Sequence, residues 1–210
     1  MSRKGILTVV SGFSGAGKGT LMKALLSKYD YGLSISATTR APREGEVHGK
    51  EYFFLTREQF EGMIKDNELF EYAEYVGNYY GTPKAYVQEQ LDKGIDVILE
   101  IEIQGALKVK EMCPDTLLLF VTPPTARELQ SRLIGRGTET IDKINSRLSR
   151  AVEESIFMDQ YDYIVVNDVL EDCVEQIHQI IENEHCKTLY NKEFMDDIKE
   201  QLTEFKEGDR

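Results

Sequence analysis

The stretch Gly12-Phe13-Ser14-Gly15-Ala16-Gly17-Lys18-Gly19-Thr20 decides the fold of this chain. It follows an apolar, β-branched run at residues 6–10 and precedes a helix-like run at residues 21–26. A glycine-rich loop that joins a strand to a helix and ends in lysine is typical of a phosphate-binding P-loop. The glycines let successive N–H groups turn towards phosphate oxygens, and the helix N-terminus adds partial positive charge there. Lys18 supplies a mobile positive charge for the outer phosphates.

The loop departs from the usual pattern at one position. The pattern places serine or threonine directly after the lysine, whereas here Gly19 intervenes before Thr20. A glycine-rich turn that binds no ligand is the alternative, and the flanking strand and helix favour the phosphate site. Whether the loop itself ligates magnesium stays open.

The composition indicates a globular chain that is strongly acidic. Of its 210 residues, 41% are hydrophobic and 30% are charged, and 25 basic residues against 37 acidic ones give a net charge of −12. Such a charge argues against a nucleic-acid or anionic-membrane partner. Any anionic small-molecule substrate must be met by a local basic cluster.

The candidate metal ligands and nucleophiles form no recognisable set. The chain has three cysteines and three histidines: Cys113, Cys173, Cys186, His48, His178 and His185. The cysteines lie far apart without metal-ligand spacing, and the histidines form no HExxH or triad-like set. With no signal peptide and no run of membrane-spanning length in this sequence, we expect a soluble cytoplasmic protein.

Strands alternate with helices along most of the chain, which predicts an α/β fold with a parallel sheet flanked by helices. The expected strands are Ile6–Ser11, Leu33–Ala37, Ile95–Ile101, Thr116–Val121 and Tyr161–Asn167. The expected helices include Pro83–Lys93, Gln104–Met112, Thr125–Ile134, Ile141–Met158 and Leu170–Glu184.

Two segments differ from this alternation. Residues 51–81 are aromatic-rich short strands broken by a helix around Arg57–Asp66, which indicates a small mixed insertion beside the main sheet. The tail, from Tyr190 to Phe205, has apolar residues on one helical face. We expect that tail helix to dock on the body of the protein or on a partner.

Basic residues in loops are candidate phosphate ligands. Arg40 and Arg43 follow the end of a predicted strand, where open α/β sheets bind ligands, and two guanidinium groups there can hold a phosphate. Exposed loop arginines without a ligand are the alternative.

A second basic cluster, at Arg132, Arg136, Arg147 and Arg150, lies in a segment expected to move. Arginines on a closing flap neutralise charge that develops during phosphoryl transfer. Surface salt bridging is the alternative and is the expected role of Arg150.

Two acidic residues end a core strand near the opening of the P-loop. Alternation along a strand places Glu100 and Glu102 on one face, with Ile101 on the other. A carboxylate there can hold magnesium through water, which makes Glu100 the candidate metal ligand and Thr20 a second one. Exposed strand-end acids are the alternative.

Several stretches occur together, and their combination is more specific than a P-loop alone. They are residues 12–20, the run Ser36-Ala37-Thr38-Thr39-Arg40-Ala41-Pro42-Arg43 with its continuation to Tyr52, residues 77–82, residues 100–105, residues 136–139 and residues 166–168. With these stretches the chain resembles the guanylate kinase family from Gly5 to about Ile181.

The resemblance implies transfer of the γ-phosphate of ATP to GMP, and to dGMP, with Mg²⁺ as cofactor. It implies that the GMP phosphate is held by Arg40, Arg43, Tyr52 and Tyr80, and that guanine is read by Ser36, Glu71, Thr82 and Glu102. The implied catalytic positive charges are Lys18, Arg43, Arg136 and Arg147. ATP would be bound by residues 12–20, with Asn167 on the adenine side.

The same resemblance implies the domain organisation. A core P-loop domain would comprise residues 1–36, 91–125 and 151–190, a GMP-binding insertion residues 37–90, a lid residues 126–150, and a C-terminal tail helix residues 191–210. The chain departs from the family at four positions: Phe13 for proline, Gly19 for serine, Thr82 for serine and Glu102 for aspartate. The tail beyond His185 lies outside the resemblance.

Three other functions fit parts of the pattern. A kinase for a different nucleotide is disfavoured by Glu71, which suits the N1–H and N2–H donors of guanine. A non-catalytic module of the same fold that binds phosphorylated peptides is disfavoured because Lys18, Arg136 and Arg147 are all present. A GTPase is disfavoured because no Asn-Lys-x-Asp motif occurs.

Overall fold

The computed structural model describes residues 4–135 and 140–207. The β-strands are β1 (Leu7–Gly12), β2 (Gly32–Leu33), β3 (Ala37–Thr38), β4 (Phe53–Phe54), β5 (Leu69–Tyr75), β6 (Asn78–Pro83), β7 (Val97–Glu100), β8 (Leu117–Thr122) and β9 (Tyr163–Val166). The α-helices are α1 (Lys18–Lys28), α2 (Arg57–Lys65), α3 (Lys84–Asp92), α4 (Ile103–Met112), α5 (Ala126–Gly135), α6 (Ile141–Ser155), α7 (Leu170–Glu184) and α8 (Lys192–Glu207).

The main sheet is parallel and has the order β2-β7-β1-β8-β9. Its central strand β1 is almost wholly buried. It pairs with β7 and β8, so that Val10 lies beside Glu100 and Gly12 beside Val121. Strands covered on both faces read as continuous apolar runs, and β7 and β8 have this character. The predicted parallel α/β sheet is therefore confirmed, and the carboxyl ends of β1, β7 and β8 meet at one edge.

The predicted second strand is wrong in one respect. Instead of one strand over Leu33–Ala37, the chain forms β2 beside β7 in the main sheet and then β3 in a second sheet. The backbone therefore changes sheets between residues 33 and 37. Periodicity cannot detect this change, because both halves of the run are extended.

Other boundaries move by a few residues. The main-sheet strands β7 and β9 are shorter than predicted, and the helix predicted to reach Met158 ends at Ser155, followed by a 3₁₀ turn at Met158–Gln160.

The second sheet has the order β4-β3-β6-β5 and lies within residues 37–83. It is mixed, because β3 pairs parallel with β4 and antiparallel with β6. Its small core contains Ala37, Phe60 and Leu69, and Phe60 stacks on the Tyr79 ring with centroids 5.2 Å apart. A core separate from that of the main sheet is consistent with the predicted insertion, whose bounds stay a prediction.

The tail forms the predicted helix, α8, but does not pack as expected. Phe194 is 53% exposed, Leu202 57% and Phe205 75%. The expectation that this stripe docks on the body is therefore wrong; docking on a partner stays a prediction. Among the described residues, no helix is both long and apolar enough to cross a membrane.

Removing the Phe60 side chain tests how far the second sheet depends on its small core. Phe60 is fully buried, so Phe60→Ala should lower the free energy of unfolding by about 3 kcal/mol or more through lost burial and the cavity left behind. Phe205→Ala, on the exposed stripe, should change it by less than about 0.5 kcal/mol. Urea titration measures both, and equal effects of the two substitutions would contradict a second core.

Candidate active site

The loop after β1 has the curled backbone that an anion site needs. Gly12, Gly15 and Gly17 have φ values of 145°, 96° and 91°, in the region that favours glycine. A Cβ on Gly12 would lie 2.0 Å from the backbone oxygen of Val121, and one on Gly17 would lie 2.6 Å from the amide nitrogen of Asn167. Close packing against backbone therefore requires glycine at position 12, and the positive φ values favour glycine at both positions.

Lys18 lies inside the same loop. It begins α1, and its Nζ donates to the carbonyl oxygens of Gly12 at 2.7 Å and Phe13 at 3.2 Å. These bonds hold the ammonium group over the loop, where it can move onto a phosphate. A Cβ added to Gly19 would have no atom within 4 Å. Packing therefore does not exclude a serine or threonine side chain at this position.

A cleft of about 470 Å³ opens above the loop. Its lining includes most of residues 12–20, together with Lys23, Glu100 and Glu102. The predicted phosphate loop and both strand-end carboxylates therefore share one cavity.

Glu100 has the chemistry that a magnesium site requires. Although the residue is open to solvent, the surrounding protein displaces enough water to raise the pKa of its carboxyl, and Lys18 opposes this rise. A divalent cation would favour the ionised carboxylate, and oxygen ligands are those that Mg²⁺ prefers. The exposed Thr20 hydroxyl is an oxygen donor on the same cleft wall. Glu100 and Thr20 thus offer the oxygen ligands that a Mg²⁺ site requires.

Asn167 stabilises the loop from the neighbouring strand end. It follows β9, is 7% exposed, and its Nδ2 donates to the carbonyl oxygen of Ala16 at 2.8 Å. This contact links the P-loop to the last strand of the main sheet. The predicted adenine-side residue is therefore placed directly beside the phosphate loop.

The predicted lid arginines differ in where they lie. Arg147, on α6, donates from Nη1 to the Ser14 hydroxyl and so reaches the P-loop. Arg150 instead bonds Glu102 and Glu154, each at 2.7 Å, which confirms the expected salt bridging. Arg132 bonds Glu128 at 2.8 Å. Arg136, predicted to be catalytic, lies outside the described residues.

In the second sheet, the predicted phosphate ligands form one cluster. The Arg40 guanidinium lies 5.5 Å from the centre of the Tyr52 ring, and the Tyr52 and Tyr80 rings are 6.1 Å apart. Glu46 accepts two bonds from Arg40 at 2.9 Å and the backbone N–H of Arg43 at 2.7 Å. The Arg43 N–H, followed by Arg40, lowers the pKa of Glu46.

Sequence reasoning missed Glu46. Both oxygens of Glu46 accept from Nη2 of Arg40, and the Ala41 carbonyl oxygen accepts from Nη1 at 2.7 Å. These contacts together orient the guanidinium, and only 16% of the Arg40 side chain is exposed. The available signal was an acid three residues after Arg43 in the same loop. Arg43 itself is exposed, as a residue awaiting an anionic ligand would be.

Two of the predicted base-reading residues, Glu71 and Thr82, are in contact in the second sheet. Thr82 is fully buried, and its hydroxyl donates to Glu71 at 2.8 Å. Ala37 pairs with Gly81 and Thr38 with Tyr80, so the same register extended by one residue sets Ser36 opposite Thr82. Gly105 of α4 closes the pocket, since a Cβ there would lie 3.2 Å from Cγ of Glu71.

The environment of Glu71 is poorly hydrated. Burial raises the pKa of its carboxyl, while the Thr82 bond and the charge of Lys108 lower it. Glu102, the fourth predicted base reader, is the N-cap residue of α4 and lies in the wall of the P-loop cleft.

Comparisons with known proteins identify the family. Residues 4–184 match the family described as guanylate kinase. A guanylate kinase of Streptococcus thermophilus is 54% identical over 187 residues, covering 88% of this chain and 90% of the relative. One of Halalkalibacterium halodurans is 56% identical over 186 residues, covering 88% and 91%.

A solved structure gives the same result. The crystal structure of guanylate kinase from Anaplasma phagocytophilum superposes with a TM-score of 0.69 at 34% identity and covers 90% of each chain. The family match spans the glycine loop, the second sheet and residues 126–150 together. On these grounds the chain belongs to the guanylate kinase family.

Proposed function

We propose that this protein transfers the γ-phosphoryl group of ATP to GMP, and also to dGMP, giving ADP and the nucleoside diphosphate. The observation that carries the proposal is a half-buried carboxylate, Glu71, that accepts a hydrogen bond from Thr82 in the second sheet. The relatives in the same family, named guanylate kinase, support this reaction. The P-loop fits the phosphate donor and the Glu71 pocket fits the acceptor.

Glu71 selects the base. An ionised carboxylate accepts two hydrogen bonds, and the edge of guanine presents N1–H and N2–H side by side. Adenine presents an unprotonated N1 there, so the half-buried carboxylate would keep only its bond from Thr82 and gain none from the base. A site built for such donors rejects the wrong base by about 10⁴-fold. Ser36, Thr82 and Glu102 complete the contacts to guanine in this proposal.

The acceptor phosphate is held by the cluster around Glu46. Arg40 and Arg43 supply positive charge, and the hydroxyls of Tyr52 and Tyr80 supply hydrogen bonds. The orientation of Arg40 is already set by Glu46, so little conformational entropy is lost when the phosphate binds.

The donor is bound by the P-loop and α1. Backbone N–H groups of residues 12–20 surround the phosphates, and Lys18 leaves the loop carbonyls to contact the outer ones. Asn167, beside Ala16, contacts the adenine side. Mg²⁺ bound to the ATP phosphates, with Glu100 through water and Thr20 as ligands, would neutralise charge on the transferring group.

Phosphoryl transfer needs positioning and charge stabilisation and no protein nucleophile. Lys18, Arg43, Arg136 and Arg147 supply the positive charge around the transferring group in this proposal. Residues 126–150 act as a lid and residues 37–90 as a GMP-binding insertion, each moving against a core of residues 1–36, 91–125 and 151–190. Closure would exclude water, which otherwise competes with GMP as acceptor.

The proposed function also implies which ligands the protein binds and where in the cell it acts. The ligands are small nucleotides, and the net charge of −12 argues against nucleic acid. A cytoplasmic location fits the three thiols, all of which are unpaired.

The reaction is tested with Mg-ATP and each of GMP, dGMP, AMP, CMP and UMP in parallel, with ADP release as the measurement. We expect fast turnover with GMP and dGMP alone. Turnover with AMP, CMP or UMP at a similar rate would contradict the role of Glu71. Binding of GMP without any turnover would instead indicate the phosphopeptide-binding alternative.

Glu71→Ala should lower kcat/KM for GMP by about 10²- to 10⁴-fold and leave ATP binding almost unchanged, because the guanine donors lose their acceptor. Glu74→Ala, an exposed acid on the same strand, is the matched control and should have no effect. Equal losses of GMP and ATP affinity in Glu71→Ala would contradict the assignment.

The raised pKa of Glu71 adds a dependence on pH. Only the ionised carboxylate accepts both guanine donors, so KM for GMP should rise as the pH falls through this pKa, at a higher pH than an ordinary glutamate would give. In Glu71→Ala this rise should disappear. A rise that persists in the variant would assign it to another group.

Arg147→Ala should lower kcat by about 10²-fold or more with GMP affinity largely kept, because the arginine acts on charge that develops during transfer. Lys143→Ala, an exposed cation on the same helix, should keep full turnover. Normal turnover with weakened GMP binding in Arg147→Ala would place Arg147 in the acceptor site instead.

A further inference from the structure

The end of the main sheet opposite the P-loop contains a second group of polar side chains. Asp96 immediately precedes β7, and its side chain is only 7% exposed. Its Oδ1 accepts the backbone N–H of Ile6 at 2.8 Å, at the start of β1. Because β7 runs from Val97 to Glu100, the Asp96 carboxylate lies about 13 Å along the strand from the nucleotide cleft.

The last turn of α7 places two more polar side chains, His185 and Glu182, at this end of the sheet. His185, the C-cap residue of α7, lies with Nε2 at 2.9 and 3.0 Å from the two carboxylate oxygens of Asp96. Glu182 is three residues earlier, so that the two side chains lie on one face of the helix. One ligand atom from each of Asp96, Glu182 and His185 lies within 4.8 Å of the other two.

We propose that Asp96, Glu182 and His185 form a zinc-binding site, with water in the fourth position. An imidazole with two carboxylates is a donor set that suits zinc, whereas magnesium favours oxygen alone. Ligand atoms at zinc distances in a tetrahedron lie about 3.3 Å apart. Asp96 and His185 already have nearly this separation, and the exposed Glu182 reaches it by a change of rotamer.

The site would stabilise the fold rather than take part in phosphoryl transfer. Asp96 is bonded to the start of β1 and precedes β7, while Glu182 and His185 end α7, so a bound ion links the sheet to the helix terminus. Glu-x-x-His spacing on a helix is a recurrent metal-binding arrangement. His185 lies just beyond the matched residues 4–184, so family resemblance does not supply this site.

A hydrogen-bonded His–Asp pair without metal is the competing explanation, and the neighbouring exposed Cys186 is a competing ligand. Both differ from the proposal in measurable ways. A simple pair takes up no zinc, and a thiolate ligand gives cobalt a charge-transfer absorption that nitrogen and oxygen ligands do not.

The experiment uses the full chain, freed of metal with a chelator and without nucleotide. Zinc uptake is measured by competition with a chromophoric chelator for wild type, Glu182→Gln and the matched control Glu171→Gln, an exposed acid on the same helix. We expect one equivalent of zinc for wild type and control, and at least about tenfold weaker binding for Glu182→Gln. Zinc should also raise the Tm of wild type and control more than that of Glu182→Gln.

Two further measurements identify the ligands. Cobalt in place of zinc should give tetrahedral d–d bands in wild type that His185→Gln abolishes, and bound metal should be released in acid, where protons compete for the ligands. No uptake by wild type, equal affinity in wild type and Glu182→Gln, or a thiolate charge-transfer band would each overturn the proposal. Kinase activity enters none of these outcomes, so they are independent of the proposed reaction.

Discussion

The structure depends on how closely the backbone of the glycine loop packs on its neighbours. At Gly12 the chain passes so near the Val121 carbonyl that no side chain fits, and at Gly17 it abuts the amide of Asn167. The loop can therefore form only where β1 lies between β7 and β8 and where β9 delivers Asn167. The order of strands in the main sheet thus determines the geometry of the anion site.

A second constraint is electrostatic. The chain is strongly acidic, yet both substrates of the proposed reaction are anions, so positive charge must be concentrated locally. Glu46 shows how this is done: it orients Arg40 and also accepts the N–H of Arg43. In the P-loop, carbonyl oxygens do the same for Lys18. The cationic groups of Arg40 and Lys18 are therefore held by hydrogen bonds before any ligand arrives, which lowers the entropic cost of binding.

The parts of the fold that could be predicted from sequence are those encoded by neighbouring residues. The strand–loop–helix at residues 6–28, the parallel alternation and the helix Leu170–Glu184 all carry local periodic or glycine signals. The change of sheet after Leu33 could not be predicted, because an extended run contains no information about which strand it pairs with. The exposed stripe of α8 was missed for a similar reason: amphipathic spacing indicates a face that favours burial, without showing what buries it.

The residues of the candidate site likewise include some that the sequence could identify and some that it could not. Residues 12–20 and Arg40 could be selected from motif and composition, and Glu71 and Thr82 from resemblance, and their roles stay predictions. Glu46 could not be selected, since its importance comes from hydrogen bonds with Arg40 and Arg43 that spacing alone does not show. The cluster of Asp96 with His185 joins residues 89 positions apart, so only the folded chain brings them together.

The contact between Asn167 and Ala16 also determines when the glycine loop can be completed during synthesis of the chain. The two residues are 151 positions apart, so at cellular rates of synthesis the loop waits about 8–30 s for its partner. Until residues 97–122 have been made, within that interval, β1 also lacks its neighbours β7 and β8. Its unpaired strand edges are then exposed to aggregation and to chaperones. The nucleotide pocket is consequently among the last features that a ribosome-bound chain completes, although its loop is among the first segments made.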